Sequence, residues 1–78
     1  MENYSIWLDN FIKDNNINVG NIIADNITVG QFLEYTKQID GWHDVLMAAL
    51  IKAQEKGKTD VYISKLCKKA IKAGYKIK

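Results

Sequence analysis

Between Trp42 and Ala53 the apolar residues Trp42, Val45, Leu46, Ala49, Leu50 and Ala53 recur at intervals of three and four, with Asp40-Gly41 before them and Gly57 after. A strand repeats every second residue and a helix every 3.6, so the spacing predicts an amphipathic helix over 41–56. Met47 and Ile51 add a second apolar line beside the first. A helix that is apolar around more than half its circumference must touch at least two other elements, and any fold for this chain has to be built around it. Lys52 and Lys56 complement the negative end of its dipole, and Gly57 supplies a left-handed stop.

Three more helices follow from the same rule. Tyr4, Trp7, Leu8, Phe11 and Ile12 make a stripe over 4–14, with Asn10, Lys13 and Asp14 on the polar side and Asn15-Asn16 at the end. Thr28 and Gln31 have the spacing of a capping box, and Ile27 and Phe32 that of a hydrophobic staple. They open a helix over 28–39 whose buried stripe is Val29, Phe32, Leu33, Thr36 and Ile39, with Asp40 offered as a cap to the helix that follows. Thr59 is placed to cap a last helix over 59–73, carrying Ile63, Leu66, Cys67, Ala70 and Ile71 inward and ending at Gly74. The stretch 15–27 mixes Ile17, Val19, Ile22 and Ile23 with Gly20 and several Asn and Asp; it admits a short helical turn or a packed loop, and also a strand, for which the sequence offers no obvious partner.

The expected fold is therefore all-α: a compact bundle of about four short helices in a single domain spanning 1–78, with Trp7, Phe11, Trp42, Leu46, Leu50 and Leu66 at its core. No proline, internal repeat or low-complexity linker interrupts it. A chain of 78 residues buries only about 60% of its unfolded surface, so stability is small. Its 47% apolar content, with two Trp, four Tyr and two Phe, nonetheless separates it from disordered sequences.

Cys67 is the only cysteine, which excludes an intramolecular disulfide and implies a reducing compartment. Glu2 and Asp9 interrupt the apolar residues of the N-terminus, unlike a secretory signal. The longest apolar run, Val45 to Ile51, is far short of the ~20 residues of a membrane span. These features predict a soluble, cytoplasmic protein with no membrane partner.

The net charge of +2 hides an asymmetry: residues 1–51 hold two Lys against seven acids, and residues 52–78 nine Lys against two. The last helix concentrates it. Lys65, Lys69, Lys72 and Lys76 recur at i, i+4, i+7 and i+11 opposite the apolar stripe, with Lys68 beside them. Such a face is either a solvated surface or an electrostatic footprint for nucleic acid. Four phosphate contacts give a salt slope of only about −3.6, which means weak binding without sequence preference. All eleven basic residues are Lys, so the bidentate guanidinium contacts that read guanine are missing. The hairpin from Lys52 to Leu66 resembles a DNA-binding helix-turn-helix in its Ala53 and Gly57, but Lys52, Lys56 and Lys58 stand where that motif requires apolar residues.

Catalytic and metal sites find no support. His43 is the only histidine, and its neighbour Asp44 points elsewhere on a helix, so the dipeptide makes no acid-base pair. One His and one Cys give no metal-ligand spacing, and the five glycines are scattered near helix ends and turns, save Gly30 in a first helical turn. The chain reads as a non-enzyme without cofactor or metal. Ile6 lies outside the stripe of the first helix and, with Met47 and Ile51, is the candidate protein interface.

The opening Trp7-Leu8-Asp9-Asn10-Phe11-Ile12, followed by an Ile-rich connector, Ile27-Thr28-Val29-Gly30 and a Lys-containing helix, resembles small helical proteins encoded by bacteriophages and prophages of Gram-positive bacteria. The resemblance implies an accessory protein in host takeover, inhibition or phage DNA transactions, and brings no catalytic residue or ligand with it. Sequence thus favours a protein-interaction module that binds a protein partner or its own copy, with a weak DNA-binding accessory protein using Lys65, Lys68, Lys69, Lys72 and Lys76 as the alternative.

Overall fold

A computed structural model describes residues 3–77. It is mostly helical, with helices Tyr4–Asp14 (α1), Val29–Thr36 (α2), His43–Lys56 (α3) and Thr59–Lys72 (α4). Two short strands, Ile22–Ala24 (β1) and Ile27–Thr28 (β2), pair antiparallel between α1 and α2, which corrects the all-α expectation.

Each boundary has a local cause. The Asn3 side chain accepts from the Ser5 amide at the start of α1. At its end Asn16 takes the left-handed conformation and the Ile17 amide reaches back to the Ile12 carbonyl, a six-to-one closure that covers orphan carbonyls. The chain then turns at Asp25 and Asn26, whose φ values of 40° and 66° give the doubly left-handed turn that suits a two-residue hairpin. The possible strand that had no obvious partner in the sequence has one because these two residues fold the Ile-rich connector back on itself.

The predicted capping box is present in both directions: the Gln31 amide donates to Thr28 Oγ1 at 3.1 Å, and the Thr28 amide donates to Gln31 Oε1 at 2.8 Å. Gly30 in the first turn of α2 has a steric reason. A β-carbon there would lie 3.1 Å from both the β-carbon and the carbonyl oxygen of Val19, and the Gly30 amide donates to that same oxygen at 2.9 Å. The loop before the hairpin is thereby held against the start of α2.

Two predicted caps are absent. Residues Asp40–Trp42 form a 3₁₀ turn with no side-chain cap, and α4 begins at Thr59 itself without a capping hydroxyl. α2 also stops at Thr36, three residues short of the expected end, because 37–39 turn into the 3₁₀ segment. Gly57 closes α3 with φ 66° as its position required.

The core comprises Tyr4, Leu8 and Phe11 from α1, Val29, Phe32 and Leu33 from α2, Leu46 and Leu50 from α3, and Ile63, Cys67 and Ala70 from α4, with Ile17 beneath the loop. Of the six core residues expected, Phe11, Leu46 and Leu50 are buried, whereas Trp7, Trp42 and Leu66 pack on the core from its edge and stay partly open. Val45, counted in the stripe of α3, is 61% exposed. Trp42, at the N-cap of α3, and Val45, three residues on, lie on one flank of the helix and line a cleft that α4 leaves partly uncovered. Beyond α4 the chain turns at Gly74 and runs back, with Tyr75 edge-on to Trp42 (5.2 Å between centroids) and to Tyr35 (6.3 Å).

Candidate functional site

The polar residues divide into a group consumed within the fold and a group left facing out. The first lies where α1 meets α2 and the start of α3. Tyr4 and Thr36 are buried with their hydroxyls 2.8 Å apart, and Thr36 Oγ1 also donates to the Leu33 carbonyl. The threonine has a single proton, and it is engaged with that carbonyl, so Tyr4 is the donor to Thr36. Burial pushes the Tyr4 hydroxyl above its usual pKa, more than the Thr36 bond and the Lys37 charge lower it.

His43 joins the same group. Its ring stacks on Tyr4 at 4.1 Å and 11°, and Nε2 lies 3.0 Å from the Thr36 carbonyl oxygen. A carbonyl only accepts, so Nε2 carries the proton and covers one of the unpaired carbonyls at the end of α2. The half-buried histidine is a helix C-terminal cap, and its nearest carboxylate is Asp40 at 3.9 Å rather than Asp44. Lys37 finishes the corner by donating to Asp9 at 2.9 Å and Glu34 at 3.0 Å. These bonds, that to Asp9 foremost, raise its pKa. Among the described residues no cluster of three or more His, Cys, Asp or Glu side chains could hold a metal ion. Cys67 is buried, and desolvation lifts its thiol pKa, the reverse of what a nucleophile requires.

The second group is on α4. Lys65, Lys68, Lys69 and Lys72 are exposed along the outer face of the helix, and among the described residues none is within ion-pair distance of an acid. Lys76 is exposed too, but lies past the Gly74 turn and so off the helical face that its spacing projects. On one side of this ridge a cleft of about 280 Å³ opens between α3 and α4, lined by Trp42, Val45, Leu46, Leu66 and Lys69. On the other a broader hollow of about 400 Å³ separates α4 from the hairpin, with Ile22, Val61, Lys65 and Lys68 among its walls.

The three residues expected to form an interface are not gathered into one patch. Ile6 is 59% exposed on α1, and Ile51, 43% exposed, borders a mixed polar hollow with Trp7, Asn10 and Gln54. Met47 is partly buried against the core. Sequence reading missed the cleft at Trp42, Val45 and Leu66 because it assigned all three to the interior. The available signal was the width of the apolar arc on α3, which exceeds what its neighbours can cover.

No helix among the described residues is long and apolar enough to cross a membrane. The chain matches no family model, no curated protein and no solved structure.

Proposed function

We propose that this protein is a small accessory module that acts by binding another protein, without catalysis, cofactor or metal. The observation that carries the reading is the open cleft between α3 and α4, where a core-forming helix leaves Val45 61% exposed beside Trp42 and Leu66. Large apolar side chains grouped in a concave, otherwise folded surface are what a protein interface needs at its centre. The commitment of His43, Tyr4 and Thr36 to one another supports a non-catalytic role, since the chain's only imidazole is spent on the end of α2. The likeness of the Trp7–Ile12 opening to small phage and prophage proteins supports an accessory task in host takeover or inhibition, in the cytoplasm of a bacterial host.

A second reading rests on the unpaired lysines of α4 and assigns the protein to weak, non-specific DNA binding. The two make opposite demands on salt, because lysine-phosphate association collapses as ionic strength rises whereas an apolar interface persists. The deciding measurement is size-exclusion chromatography with light scattering at about 50 and 500 mM salt, with and without a DNA duplex, joined to duplex titration by anisotropy. No duplex binding at either salt is the expected result, and self-association that resists salt and is lost in Val45→Asp would make the protein partner a second copy of this chain. Duplex binding at low salt that disappears in Lys65→Glu and Lys69→Glu would reverse the order of the two readings.

A further inference from the structure

We infer that the cleft between α3 and α4 receives the apolar edge of an acidic helix supplied by a partner protein, with the lysines of α4 meeting its carboxylates. The inference rests on the protein-binding reading and adds the chemistry of the partner. The floor of the cleft is formed by Leu46, Leu66 and the indole of Trp42, with Val45 on one lip and Lys69 on the other. At about 280 Å³ it holds one bulky side chain and leaves the remainder of a ligand on the surface. Its walls are two helices joined by the short Gly57-Lys58 connection, with Trp42 at the start of α3 beside Lys69 near the end of α4, so they run antiparallel. A groove between two such helices accepts a third by ridge-into-groove packing.

Charge selects the occupant. Lys65, Lys69 and Lys72 stand at i, i+4 and i+7 on α4, the spacing at which one face of a facing helix presents its own carboxylates. All three are exposed, and among the described residues none is paired. A second copy of this chain fits less well, because Asp9 and Glu34 are already engaged by Lys37 at 2.9 and 3.0 Å, which leaves Asp14 as the one other acid of α1 and Asp44 and Glu55 at opposite ends of α3. Single-stranded nucleic acid would need stacking platforms along the ridge, and Trp42 is the one aromatic residue in the cleft, among aliphatic neighbours.

The probe is a fluorescein-labelled synthetic helix of about 16 residues, with Leu at i, i+4 and i+7 and Glu on the flanks. Its counterparts have Lys for every Glu, or Ala for every Leu. Against the full chain the Glu-Leu peptide is expected to bind, with amide shifts centred on Trp42, Val45, Leu66 and Lys69. Neither counterpart binds. Val45→Asp places a charge in the apolar contact and weakens binding at least about tenfold. Lys69→Glu weakens it several-fold and flattens its salt dependence. Both side chains are exposed at the cleft, so each variant is expected to fold, which a thermal melt checks. Equal binding of the Glu and Lys peptides, or no binding by any, overturns the inference. Peptide shifts mapping to Ile6 and Ile51 overturn it while leaving the protein-binding reading in place. Displacement of the Glu peptide by duplex DNA from the same residues, with salt-sensitive DNA binding, overturns both.

Discussion

The corner where α1 meets α2 and the ridge of α4 contain similar materials, put to opposite use. At the corner a lysine, two acids, a tyrosine, a threonine and a histidine satisfy each other, and the side chain of Lys37 is only 17% exposed. On α4 the lysines project into solvent beside apolar surface that the fold leaves open. Polar groups that are closed on themselves act on stability. Those left open contribute little to it and remain free for an outside partner. The corner predicts what holds the protein together; the ridge predicts what it meets.

The largest effect that tests this division is expected at Tyr4. Tyr4→Ala removes a buried ring from the core and leaves the Thr36 hydroxyl without its donor, at a cost of about 3–5 kcal/mol in urea denaturation. Replacing Lys65, Lys68, Lys69 and Lys72 one at a time with Ala is expected to move stability by no more than about 0.5 kcal/mol each. A ridge substitution that costs as much as the corner one would abolish the distinction.

Alkaline pH is expected to weaken the interior with a smaller, graded effect. Cys67, Tyr4 and Lys37 all have pKa values raised above 9.0, 10.0 and 10.5 respectively. The folded state therefore retains these protons where the unfolded state releases them. Their stabilising contributions are fully present below those values and are lost as pH rises through the higher folded ones, at no more than about 1.4 kcal/mol per pH unit for each group. Stability curves from pH 7 to 11 will show a decline that begins near pH 9, and Cys67→Ala will delay its onset. A decline that starts below pH 8 would point to groups outside this set.

The smallest effect sharpens the comparison most. Lys37→Met is expected to cost about 0.5 kcal/mol, and less at high salt, because Asp9 and Glu34 lie in solvent. Lys69→Met is expected to cost nothing measurable in stability while changing what the cleft binds. Equal and salt-independent losses at the two lysines would show that pairing does not distinguish them.

Periodicity and terminators made the helices legible: stripes such as Leu46, Leu50 and Ala53 repeat clearly, and the Thr28–Gln31 cap and the Gly57 stop act within a few residues. The hairpin was less legible because its turn is Asp25-Asn26, with no glycine to announce the positive φ. Asp and Asn tolerate that conformation better than other side chains, so their position between Ile22-Ile23-Ala24 and Ile27-Thr28 was the signal available. The corner was illegible for a different reason. Tyr4, Thr36 and His43 are 32 and 7 residues apart in the pairs that bond, and no local spacing announces that a histidine opening one helix will cap the previous one. The cleft depends on coverage: periodicity identifies which side chains are apolar on one face, but not how much of that face a neighbour of fixed width will hide.

The docking of α1 also has a consequence in time. α3 and α4 are consecutive and joined by the two residues Gly57 and Lys58, so they can pack as a local unit, whereas α1 is secured to α2 and α3 by Tyr4 and Lys37 across the hairpin. Regions that open below the global unfolding energy do so as contiguous units. α1 is the one whose release leaves the α3–α4 pair intact. Its amides are expected to exchange with deuterium before those of α3 and α4, and to do so sooner still in Tyr4→Phe, which would make the buried hydroxyl bond a latch on the order in which the molecule comes apart.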